Sequence, residues 1–336
     1  MPVQYGGVIQ ESQAVRKAVG MFDVSHMGRL TFTGAQVLEY LERVTTNDVA
    51  KLDDMKGQYS LLPNSTGGVV DDVIVYRIDA NEYRMVVNAA NHKKDLAHFR
   101  RENSFGVEIE DTTDDTAMIA VQGPRAAHAI GSLCNRPGEL ASAKLFGVVE
   151  AEVAGCPCWC ARSGYTGEDG FELICRATDA PKLWKALHEA GVVSCGLGAR
   201  DVLRVEAGLP LYGHELLDDV SPIESGLGWV VSEEKGFLGS EIVNRIRKEG
   251  PKRKLRGIRL DGRRLLIPGM SVIVEGREVG SITSGIFSPE LNCGIAFAFL
   301  DAEVKLKTPC QVEIRGKREP GMVVGRRFYR RQTSTD

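Results

Sequence analysis

The 336-residue chain contains no apolar run near the roughly 20 residues that span a bilayer, so a transmembrane helix is not expected. Charge of one sign is also missing: 42 basic against 45 acidic residues leaves −3, which gives no general attraction to nucleic acid or an anionic membrane. The opening MPVQYGGVIQ lacks the basic start and apolar segment of a secretory signal. Cysteine is present but not as a scaffold. Eight residues in a chain this long do not staple a fold, and the C-x2-C pairs of structural zinc sites are absent. Cys156, Cys158 and Cys160 of CPCWC alternate, and in a strand would share one face as small apolar residues packed under a sheet. A reducing, cytoplasm-like compartment fits that usage, or a mitochondrial one if the source is eukaryotic and a leader has been lost.

What remains is a globular composition, 43% apolar and 26% charged, on a chain long enough for two or three domains. Periodicity predicts a short amphipathic helix in VIQESQAVRKAVG and strand-like character through MFDVSHMGRLTFTG. GAQVLEYLERV carries Val37, Leu38, Leu41 and Val44 on one helical stripe. GGVVDDVIVY and EYRMVVNA read as an antiparallel hairpin joined by the turn DANE. Hairpins mixed with single helices indicate an α+β fold. GSEIVNRIRKEGPKRKLRG, a helix running into a charged link, marks the best boundary, giving 1–250 and 251–336 as domains. Beyond it, regularly spaced short strands predict a C-terminal antiparallel β-barrel or sandwich.

Within this frame, two acids interrupt an apolar strand at Asp71 and Asp72. Alternation sends them to opposite faces, so at most one addresses a substrate; the plain alternative has both bonding turn amides near Gly67 and Gly68. In RSGYTGEDGFE, Glu168 and Asp169 read as solvated turn tips, whereas Glu172 lies in the returning strand and calls for a specific donor. GLGARD resembles a phosphate cradle only weakly. Arg200 and Arg204 share a helical face, with Asp201 or Glu206 as expected partners. His26 and His214 lack a nucleophile-rich context and read as structural, and RRFYRR reads as a solvated end.

Taken in order along the chain, VRKAVGMFDVSHMG, GQYSLLPNSTGGVVDDVIVYR, VVNAAN, AMIAVQGP, SGYTGEDGFE, GLGARDVLRVEAGLPLYGHEL, PIESGLGW and GSITSGIFSP resemble the aminomethyltransferase, or T-protein, of the glycine cleavage system. The resemblance implies two α/β subdomains around a central folate channel with a C-terminal antiparallel β-barrel. It also implies transfer of a methylene from an aminomethyl group, carried on the lipoyl arm of the H-protein, to tetrahydrofolate, with release of ammonia and no metal. The family's essential aspartate falls on Asp72, its folate-binding glutamate on Glu172, and the arginine of its GLGAR motif on Arg200. Its C-terminal tyrosine falls on Tyr329, and Tyr59 and Tyr165 match tyrosines lining the pterin site. The family pattern places a leading helix and strand ahead of MPVQY; either the start is set too far downstream, or that strand is missing and one sheet is expected to show an unpaired edge. Two alternatives share the fold. A folate-dependent demethylase would use the same acid pair, and a non-enzymatic folate-binding assembly factor would carry a K-G-C-Y-x-G-Q-E type motif where this chain has SGYTGEDGFE.

Overall fold

MFDVSHMGRLTFTG does not form one strand but two, Gly20–Asp23 and Gly28–Thr33, and they enter different sheets. The Asp23 carboxylate accepts the Ser25 amide and the Val24 carbonyl accepts that of Met27, turning the chain out of the first sheet and into the second. In the computed structural model, which describes residues 1–331, this crossover links a six-stranded sheet to a five-stranded one. The six-stranded sheet runs Val193–Ser194, Gly20–Asp23, Thr116–Gln122, Gly170–Arg176, Cys156–Ala161, Val148–Val153, antiparallel except for its first pair. The five-stranded sheet runs Lys56–Pro63, Val69–Arg77, Glu82–Val87, Gly28–Thr33, Glu108–Asp111 and is antiparallel throughout.

Helices cover the outer faces. Val37–Val44 and His92–Glu102 bury Val37, Tyr40, Leu41, Leu96 and Phe99 against the smaller sheet. Ala180–Glu189 buries Leu183 and Leu187 against the larger one, where Cys156, Cys158, Cys160 and Cys175 lie in the same apolar cluster, as the alternation in CPCWC predicts. Asp179 does not cap that helix through its side chain; it pairs with Arg176 instead. Between the sheets, Phe22, Tyr76, Met118 and Trp159 form a third cluster. The strand bearing the two acids is therefore covered on both faces, which accounts for its apolar residues at consecutive positions.

Strict alternation fails at one point in that strand. Leu62 pairs with Asp71 and Pro63 with Val69, so Val70 has no opposite residue. Pro63 has no N–H to continue the ladder, and the break is relieved as a bulge. Past it, Val73 and Val75 face the outer helices while Ile74 and Tyr76 face the other sheet.

From Arg253 the chain forms a closed six-stranded barrel in the order Arg253–Leu260, Cys293–Asp301, Arg277–Ser288, Ser271–Val274, Pro309–Ile314, Lys317–Val324. Its outer wall, through Phe297, Phe299 and Ile286, packs on Val202 and Val205 of the helix Leu197–Ala207. That helix is the junction of the molecule. It ends at Gly208, whose φ of 83° suits glycine, and a Cβ there would lie 2.8 Å from the Cα of Arg327. No helix among the described residues is long and apolar enough to cross a membrane.

Candidate active site

One cavity of about 460 Å³ opens between the two sheets, the helix Leu197–Ala207 and the chain that leaves the barrel. Of the six site residues that the resemblance implies, five line it: Tyr59, Asp72, Tyr165, Glu172 and Arg200. They come from four separate segments: Lys56–Pro63, Val69–Arg77, the turn and strand around Gly170–Arg176, and the helix Leu197–Ala207.

Asp72 is held from both sides. Tyr59 donates its hydroxyl to Asp72 Oδ2 at 3.0 Å, and Asn88 Nδ2 donates to Oδ1 at 2.7 Å. Burial, with the neighbouring charge of Asp71 second, pushes its pKa up to about 7, while the Tyr59 and Asn88 bonds pull the other way. Asp71 faces the outer helix. It does not bond the turn at Gly67 and Gly68; it accepts the Asn88 backbone N–H at 2.9 Å and the Asn91 side-chain amide at 2.6 Å. The two acids do face opposite ways, but Asn88, at the end of the next strand, reaches both.

Glu172 is only 6% exposed and accepts the Ser163 hydroxyl, which in turn accepts from Tyr76 at 3.3 Å. Burial raises its pKa, while the Ser163 bond and then the charge of Arg200 oppose that rise. The Arg200 guanidinium lies 4.8 Å from the centre of the Tyr165 ring, a cation–π contact, and the Tyr165 hydroxyl donates to the Pro210 carbonyl. Arg204, one turn on, is taken up by Asp201, Glu215 and Ser284. Glu206 pairs with neither arginine of that face; its partner is Arg16 at 2.9 Å.

Tyr329 lies apart from this group. Its ring sits 3.9 Å beneath the Arg16 guanidinium, outside the residues lining the cavity, and its amide donates to the Glu206 carbonyl. Two plain readings are corrected in the same region. RRFYRR is not a solvated end: Arg326 donates to the Ser225 carbonyl, Phe328 stacks on Phe297, and Arg326 and Arg327 line the cavity. Nor are Glu168 and Asp169 solvated tips, since they pair with Arg16 and Arg162. His214 is structural, its Nδ1 donating to the Thr283 carbonyl at 2.9 Å, but His26 lies at the cavity wall.

Asn88 and Trp229 line the site without having been singled out, and Arg326 and Arg327 line it although RRFYRR reads as a solvated end. Trp229 is 69% exposed at its mouth, stacked on Tyr59 with centroids 6.1 Å apart. Asn88 had a signal, because two asparagines three apart follow an apolar strand in VVNAAN. The others arrive through tertiary packing alone. Among the described residues no group of three or more His, Cys, Asp or Glu is placed to hold a metal.

A carboxylate poised near neutrality, with arginines and aromatic rings around one cavity, has the character of an enzyme site for a small molecule. Comparison with known proteins makes this specific. The GCVT N-terminal domain family matches residues 1–235, and the glycine cleavage T-protein C-terminal barrel domain matches residues 253–330. An aminomethyltransferase of Halalkalibacterium halodurans is 44% identical over 338 aligned positions, covering 98% of this chain and 92% of that protein. One from Thermus thermophilus is 47% identical, covering 95% and 90%. The crystal structure of glycine cleavage system aminomethyltransferase T from Bartonella henselae superposes with a TM-score of 0.91 at 30% identity, covering 98% of this chain and 91% of that one. The chain belongs to the glycine cleavage T-protein family.

Proposed function

We propose that this chain is the aminomethyltransferase of a glycine cleavage system, with Asp72 as its catalytic acid group. In the net reaction the carbon of an S-aminomethyl-dihydrolipoyl H-protein passes to tetrahydrofolate. The C–S bond and the C–NH2 bond break, and bonds to folate N5 and N10 form. The two protons lost from N5 and N10 leave with the thiol and with ammonia, giving 5,10-methylenetetrahydrofolate. The observation that carries the reading is Asp72 itself, fixed by Tyr59 and Asn88 at the wall of a cavity large enough for a pterin. Ionised, it stabilises the positive charge that develops as the aminomethyl carbon is attacked, and its fixed geometry orients N5.

Glu172, buried across the cavity, accepts N–H groups of the pterin ring, and Arg200 holds a folate carbonyl or carboxylate. Tyr59 and Tyr165 offer ring faces for stacking. Tyr329 acts from behind, by holding Arg16 and the barrel tail in place. Residues 1–250 then form the folate-binding part and 251–336 the barrel domain, residues 332–336 lying outside those described. No step calls for a metal.

Formation of methylenetetrahydrofolate from glycine, with lipoylated H-protein and the other glycine-cleavage components present, tests the reading. Product is expected only when this chain is added. Equal product without the chain, or turnover of a methylated amine that needs no H-protein, refutes it and favours the demethylase alternative.

A further inference from the structure

We propose that Asp95 is a positioning residue of this site, a neutral carboxylic acid that donates its proton to Asp71 and so keeps Asn88 aimed at Asp72. This rests on the catalytic reading of Asp72 given above.

Asp95 lies on the helix His92–Glu102 with no exposed surface, and neither of its carboxyl oxygens has a hydrogen-bond partner among the ordinary donors around it. Its place in the first turn would suit an ionised acid, yet none of the turn's amides reaches it; its own N–H goes to the Asn91 carbonyl. A carboxylate in that position would be buried, charged and unpaired, which is too costly to persist. Asp71 is joined to it through Asn91, whose side-chain amide donates to Asp71 at 2.6 Å and whose carbonyl accepts the Asp95 N–H at 2.8 Å, and a hydrogen bond with the Asp71 carboxyl group is among the causes that raise the Asp95 pKa. Asp71 already accepts three N–H groups, from the Asn88 backbone, the Asn88 side chain and the Asn91 side chain, at 2.9, 2.9 and 2.6 Å. Both Asp71 oxygens are thus taken up by N–H donors while both Asp95 oxygens have none, so the proton of the pair is placed on Asp95. Burial, and then the charge of Asp71, push the Asp95 pKa up to about 10.

The result is a directed chain. Asp95 donates to Asp71, Asn88 donates to Asp71 and Asp72 together, and Tyr59 donates to Asp72 from the cavity side. Asn88 Nδ2 carries two protons, and both are committed by the two carboxylates. If Asp71 lost its grip, the amide would be free to turn away from Asp72. The other groups facing Asp95 do not replace its proton. Lys94, on the same helix, is taken by Tyr212 at 2.6 Å and Asp218 at 3.7 Å. His98 is buried, contacts Arg101, and is pushed by burial down to about 4, so it is neutral. Asp72 adds a further negative charge on the strand side.

Asparagine at this position keeps an N–H donor for Asp71 but cannot ionise; alanine keeps neither property. Asp95→Ala is expected to lower kcat about tenfold, the worth of one charge-assisted hydrogen bond, with the KM for tetrahydrofolate little changed, and Asp95→Asn to restore it. Protonation is read separately from activity by unfolding. The folded chain keeps the Asp95 proton where the unfolded chain has lost it, so wild-type stability falls as pH rises above the unfolded value, and the asparagine variant has no such loss. The ratio of wild-type to Asp95→Asn unfolding constants should therefore climb about tenfold per pH unit from about pH 5 to about pH 9. A ratio constant across that window shows Asp95 ionised in the folded chain and overturns the proposal, whether or not the alanine variant folds. A well-folded Asp95→Asn with kcat as low as the alanine variant overturns it too. Because the unfolding measurement involves no substrate, it stands or falls independently of the aminomethyltransferase reading.

Discussion

Replacing Arg204 by methionine should destabilise the chain by about 3 kcal/mol, and the reason lies in what it leaves behind. Arg204 is 2% exposed and joins the junction helix to the barrel, donating to Glu215 at 3.1 Å and to Ser284 at 2.8 Å. Its other carboxylate contact, with Asp201, involves an acid whose side chain is 49% exposed and adds little, about 0–1 kcal/mol. Glu215 is completely buried, so removing the guanidinium strands a charge away from water. Breaking a buried pair in this way costs about 3–5 kcal/mol. The lower figure applies because Glu215 retains donors from Leu211, Thr283 and Ser284. The assay is a double-mutant cycle of Arg204→Met with Glu215→Gln, followed by thermal unfolding at neutral pH. The double variant should recover about 1–2 kcal/mol relative to the sum of the singles, since the second change removes the stranded charge. A single-variant loss below about 1 kcal/mol, or strict additivity, would refute the argument that this pair ties the barrel to the helix.

Tyr59→Phe removes the hydroxyl that lowers the Asp72 pKa, so the pH at which activity is half-developed should move up by about one unit, read from kcat/KM against pH. In the wild type that same profile should rise with pH through about 7, because Asp72 stabilises positive charge only when ionised. The stability consequence has the opposite sign. A carboxyl whose pKa is raised on folding contributes stability below its unfolded value that is lost as pH rises towards 7, so Asp72→Asn should raise the thermal midpoint more at pH 8 than at pH 5. Gly208→Ala should cost about 1–2 kcal/mol for its left-handed backbone and should weaken tetrahydrofolate binding, because the added Cβ displaces the Arg327 backbone beside the cavity; unchanged affinity by calorimetry would separate the tail from the site.

The parts of the fold that repeat a period were legible in the sequence. The hairpin across DANE, the stripe Val37, Leu41 and Val44, the shared face of CPCWC and the barrel strands each follow from alternation or helical spacing. What escaped was local chemistry that interrupts a period. MFDVSHMGRLTFTG hides a change of sheet behind continuous strand propensity, and only the Asp23 side chain marks the turn. The bulge at Val70 depends on Pro63 of the neighbouring strand, which no window along Val69–Arg77 contains. At the site, the family resemblance pointed to residues that do meet in one cavity, except Tyr329, whose sequence position beside two cavity arginines disguises a side chain turned towards Arg16. The ion pairs of Glu168 and Glu206 reach back to Arg16, and local spacing carries no information about such a partner, whereas Asp169 pairs with Arg162 of its own hairpin.

The central claim is that Asp72 serves the chemistry of methylene transfer more than the binding of folate. Asp72→Asn keeps the size of the side chain and one acceptor oxygen, enough for Tyr59 or Asn88 but not both, so the cavity should keep its volume while the charge is lost. Single-turnover formation of methylenetetrahydrofolate from aminomethylated H-protein, measured beside the dissociation constant of tetrahydrofolate, isolates the two roles. The account predicts a rate loss of about a hundredfold or more with affinity held within a few-fold. A variant that transfers the methylene at close to the wild-type rate, or one whose loss is entirely in affinity, would contradict it.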